Sequence, residues 1–99
     1  MIKIELLYFP DCPNVGAARE QLRRALSIAG LSSTWTEHDV TAAECPSRVR
    51  GYGSPTILVD GRDVAGGSPG DGSSCRVYVG SEIPGVPPLA VILAALRST

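Results

Sequence analysis

The chain has 99 residues, 43% hydrophobic and 19% charged, with a formal net charge of −1. That is one ordinary globular domain, residues 1–99, with no room for a second. The near-neutral balance and the 5% aromatic content exclude an electrostatic draw to nucleic acid or an anionic membrane and weaken any base-stacking reading.

Residues 2–9 open with Ile2, Ile4 and Leu6 alternating against Lys3 and Glu5, then turn apolar on both faces, as a strand does when it enters the middle of a covered sheet. Pro10-Asp11-Cys12-Pro13 breaks it; Asp11 is placed to cap a helix and Pro13 suits its first turn. Val15, Ala18, Leu22, Ala25, Leu26 and Ala29 then recur at helical spacing. Arg19, Glu20, Arg23 and Arg24 take the other face, Glu20 within reach of both later arginines, and Gly30 stands where a helix should stop.

Thr34 to Val40 is β-branched and alternating, a second strand. Thr41 to Arg50 is polar with some helical spacing, interrupted by Pro46. Pro55 to Val59 is a β-rich run, Asp60-Gly61 a hairpin signal and Arg62 to Ala65 the return strand. Gly66 to Ser74 is a Gly/Ser-rich loop, and Cys75 to Val79 a short extended segment. Pro87-Pro88 starts a last helix with Leu89, Ile92, Leu93 and Leu96 on its core face. The order β-α-β-α-β-β-loop-α gives an α/β fold with a four-stranded mixed sheet and helices on both faces. The N-terminal apolar run is too short for a signal sequence, and the run from Pro87 to Leu96 is about half a membrane span. The expectation is a soluble, cytoplasmic protein.

Three cysteines cannot form a complete disulfide framework. Cys12 stands where a central strand stops and an amphipathic helix starts. The unpaired N–H groups and positive dipole end of such a helix favour the nucleophilic thiolate, an effect that the neighbouring carboxylate of Asp11 opposes. A lone cysteine is more often inert and buried, but few inert ones fall at such a corner. Cys45, in a Glu-Cys-Pro setting, reads as structural. His38 is isolated and reads as solvated or hydrogen-bonded rather than as a metal ligand, and Arg48 and Arg50 as solvated, or as contacts for an acidic thiol substrate.

The stretch Tyr8-Phe9-Pro10-Asp11-Cys12-Pro13-Asn14-Val15 resembles the active-site turn of thioredoxin-like proteins, and Gly53-Ser54-Pro55-Thr56-Ile57 resembles their cis-proline loop. The run from Pro55 to Gly67 is similar to glutaredoxins, whose hairpin ends in a Gly-Gly that lines the thiol substrate site. The resemblance implies a thioredoxin-like fold and a redox reaction at Cys12, with Pro13, Ser54, Pro55, Thr56, Gly66 and Gly67 around the substrate. It implies a disulfide-containing protein or a low-molecular-weight thiol as partner, and no cofactor. The family's second cysteine is replaced by Val15, so a monothiol route or a thiol from elsewhere must complete the exchange. Cys75, a short step beyond Gly67, is either that second thiol or a buried strand residue beside Val77. Two further functions stand beside this one: a thiophilic metal site for mercury or copper(I) built from Cys12 and Cys75, as in a vaguer resemblance to thioredoxin-like proteins associated with organomercurial lyases, and a non-catalytic thioredoxin-fold adaptor.

Overall fold

The structure, a computed structural model, describes residues 2–67, 78, 81 and 85–97. Its strands are β1 (Ile4–Tyr8), β2 (Thr36–Asp39), β3 (Thr56–Val59) and β4 (Arg62–Asp63), and its α-helices are α1 (Val15–Ile28) and α2 (Leu89–Arg97). The sheet runs β2-β1-β3-β4. β1 pairs in parallel with β2, Glu5 opposite Thr36, and antiparallel with β3, Ile4 opposite Val59 and Leu7 opposite Thr56. The mixed α/β sheet expected from the element order is present.

Alternation along the central strands splits the core in two. Ile4 and Leu6 of β1 join Ile57 and Val59 of β3 on one face, where Val15, Ala18, Leu22, Ala25 and Leu26 of α1 meet Ile92 and Leu96 of α2. Leu7 and Leu58 point the other way, onto Cys45, Val49 and Tyr52. Among the described residues both α-helices therefore lie on one face, and the expectation of helices on both faces is corrected. The segment from Thr41 to Arg50 forms only a single 3-10 turn, Ser47–Val49, entered through Pro46 in an extended conformation. Proline's missing N–H and its clash with the preceding turn bar a continuous helix there.

α1 closes as its sequence predicts. Gly30 sits at φ 73°, its N–H donates to Ser27 and that of Leu31 to Leu26, so the last carbonyls are satisfied in a left-handed cap. Its start differs: the cap residue is Asn14, not Asp11, and Pro13 lies ahead of the first turn instead of within it. The hairpin turn has Asp60 at φ 50° and Gly61 at φ 82°, the mirror-image turn that Asp-Gly favours. β4 is shorter than predicted because the Asp63 carboxylate accepts the Ala65 N–H at 2.9 Å and the Asp63 carbonyl accepts the Gly66 N–H, curling the chain away. Arg19 grips Glu37 through two hydrogen bonds of 2.8 and 2.9 Å and lies over the Tyr8 ring, fixing α1 across the β1–β2 edge. No described helix is long and apolar enough to cross a membrane.

Candidate active site

The antiparallel register of β1 and β3 builds the site. Continued past Leu7 and Thr56, it sets Tyr8 opposite Pro55 and Phe9 opposite Ser54, and the Phe9 N–H donates to the Ser54 hydroxyl at 3.3 Å. The chain then turns over Phe9-Pro10-Asp11-Cys12, closed by the Cys12 N–H on the Phe9 carbonyl at 3.0 Å. Proline at the second position of such a turn is pre-set for it. The turn brings Cys12 back over the loop that precedes β3. There the thiol donates to the Ser54 carbonyl at an S···O distance of 3.6 Å, within reach for the large sulfur atom.

The Ser54–Pro55 peptide bond is cis. Ser54, Pro55 and Thr56 are fully enclosed, and Cys12 retains 6% exposure, between the exposed Asp11 and Pro13. The three loop residues therefore shape the surroundings of the thiol rather than offer side chains to an incoming molecule. Three successive carbonyls of this loop each accept a side-chain donor: Gly53 from the Thr56 hydroxyl at 2.7 Å, Ser54 from the Cys12 thiol, and Pro55 from the Tyr78 hydroxyl at 2.6 Å. Next to the turn, the Asn14 side chain lies so close to the backbone of Gly85 that a Cβ there would collide with it.

The structure thus brings Cys12 together with Ser54 and Pro55, and places Pro13 and Thr56 beside them. Gly66, at φ 81°, instead lines a groove of about 750 Å³ between the hairpin and α2, with Asp60, Asp63, Val91 and Ala95. Gly67 is exposed. Cys75, expected as second thiol or as second metal ligand, lies outside the described residues. Among those residues no group of three or more His, Cys, Asp and Glu stands together to hold a metal ion.

Other residues read from the sequence take structural positions. Cys45 is buried on the opposite face of the sheet from α1 and α2, its thiol 3.6 Å from the Pro46 carbonyl. Arg50 donates to the carbonyls of Ala42 and Ala43. Arg48 and His38 both serve Glu5, which is fully buried in β1: the Arg48 guanidinium donates to its two oxygens at 3.1 and 2.6 Å, and His38 Nε2 lies 2.8 Å from Oε2. The Arg48 hydrogen bonds hold the Glu5 carboxyl below its ordinary range, burial opposes them and His38 adds to them.

Two contributors escaped sequence reasoning. Tyr78 carries no signal, since its partner is a backbone carbonyl far away in the chain. Glu5 carries none either: it falls with Lys3 in the polar phase of the alternating strand opening, where an acid reads as solvated. Compared with known proteins, the chain matches no protein-family model, no curated protein and no solved structure.

Proposed function

We propose that the protein exchanges thiols with disulfides through Cys12, on a fold of the thioredoxin type, acting on a disulfide-containing protein or a low-molecular-weight thiol. The observation that carries this reading is the placement of Cys12 at the junction of β1 and α1, with its sulfur against the Pro55 loop, 3.6 Å from the Ser54 carbonyl. The strand order β2-β1-β3-β4 supports it, as does the Pro55 loop facing a turn that carries a cysteine.

In the exchange, the Cys12 thiol gives its proton to water and the thiolate attacks one sulfur of a disulfide. The bond from Cys12 to that sulfur forms as the original sulfur–sulfur bond breaks, and the leaving thiolate takes a proton from solvent. A second thiol then attacks the mixed disulfide and returns Cys12 to its reduced form. With Val15 in place of a second cysteine in the turn, Cys75 or a low-molecular-weight thiol supplies this step. The disulfide approaches over Asp11 and Pro13, the exposed flanks of the cysteine.

The test is incubation with oxidised glutathione followed by intact-protein and peptide mass spectrometry. The reading expects one glutathione joined to Cys12, released by excess thiol, retained in Cys45→Ser and absent in Cys12→Ser. Disulfide reduction that survives Cys12→Ser overturns it. A Cys12 that forms neither this adduct nor a disulfide with Cys75 leaves the adaptor function in its place.

A further inference from the structure

We propose that Tyr78 is a positioning residue for Cys12, acting through the Pro55 carbonyl; the proposal rests on Cys12 being the reactive group. Tyr78 is 6% exposed, and a phenol enclosed to that degree needs a partner for its hydroxyl. It donates to the Pro55 carbonyl at 2.6 Å, at the short end for such a bond. One peptide unit earlier, the Ser54 carbonyl accepts the Cys12 thiol.

The backbone between these two carbonyls is nearly rigid. Each peptide unit is planar, and the proline ring locks φ of Pro55. Only ψ of Pro55 can turn one carbonyl relative to the other. The Tyr78 hydroxyl, together with the pairing of Thr56 opposite Leu7, holds that remaining rotation, and so helps fix the acceptor that the Cys12 sulfur meets. The Phe9 N–H on the Ser54 hydroxyl ties the loop to β1 but leaves that rotation untouched.

Tyr78→Phe keeps the ring and removes the donor. With one restraint on ψ of Pro55 removed, the Ser54 carbonyl holds the thiol less firmly. Alkylation of Cys12 by iodoacetamide is then expected to rise about fivefold relative to Cys45 in the same molecule, the size of one neutral hydrogen bond's net contribution. Cys45 lies on the opposite face of the sheet and serves as the internal reference. An unchanged ratio overturns the proposal, and so does equal acceleration of both cysteines, which is global loosening.

If Tyr78→Phe does not fold, NMR of the wild-type protein decides. A Tyr78 hydroxyl proton protected from solvent and coupled to the Pro55 carbonyl carbon supports the proposal, and one averaged with water overturns it. Wild-type protein whose Cys12 forms neither a mixed disulfide with oxidised glutathione nor a disulfide with Cys75 defeats the exchange reaction, while the alkylation ratio decides the positioning by itself.

Discussion

Glu5 is fully buried at the centre of β1, where a carboxylate persists only if protein groups replace the water it has lost. Arg48 does most of this, with His38 on the same carboxylate. Because the interaction lowers the Glu5 pKa in the folded protein, its contribution is present above the unfolded carboxyl's pKa and is lost as pH falls through the folded value. Arg48→Met keeps much of the side chain's bulk and strands the carboxylate. At neutral pH it is expected to cost about 2–3 kcal/mol in urea denaturation, below the range for a fully enclosed pair because Arg48 is half exposed. The gap between variant and wild type should narrow as pH drops through the folded pKa of Glu5. Coincident denaturation curves at neutral pH would mean that His38 and the backbone suffice. The sequence concealed this arrangement because Glu5 falls in the polar phase of an alternating strand opening, which reads as a solvated face. Only the 3-10 turn brings Arg48 beneath it.

At the scale of elements, legibility follows how much of the determining chemistry is local. The end of α1 was readable to within a residue because its apolar stripe and Gly30 are written in the helix itself, whereas its start lies beyond the Asp11 cap that the sequence suggested. The β3–β4 turn was readable because Asp-Gly fits its geometry, and the Cys12 turn and Pro55 loop because both carry short motifs. The segment from Thr41 to Arg50 was harder, since its helical spacing competes with Pro46 and with its need to cover Leu7 and Leu58. β4 ended early through the Asp63 side chain, a contact that no hydrophobic pattern encodes. Gly30 offers the direct test of local determination. Gly30→Ala places a Cβ at φ 73°, and a left-handed conformation costs a residue with a Cβ about 1–2 kcal/mol. The expected result is a lowered thermal midpoint with Cys12 alkylation unchanged, since the cap lies at the end of α1 remote from Cys12. An unaltered midpoint would show that the chain leaves α1 by another route.

Across the whole molecule the sheet separates two populations of side chains, and the two described cysteines fall on opposite sides of it. Cys12 belongs to the core shared by α1, α2 and the Ile57 face of β3, and Cys45 to the one under the 3-10 turn. Domains open in parts, with free energies that follow the packing of each part. If the α1–α2 layer opens as a unit, loosening it should uncover Cys12 and leave Cys45 protected. Ile92 is fully buried between the helix layer and the sheet. Ile92→Ala removes that packing at an expected cost of about 3 kcal/mol, the transfer and cavity terms together. Under native conditions it should accelerate labelling of Cys12 more than of Cys45. Val49→Ala, cut from the opposite core, should reverse the preference. If each variant instead accelerates both cysteines equally, the sheet opens only as a whole, and access to Cys12 is then governed by global stability rather than by the helix layer above it.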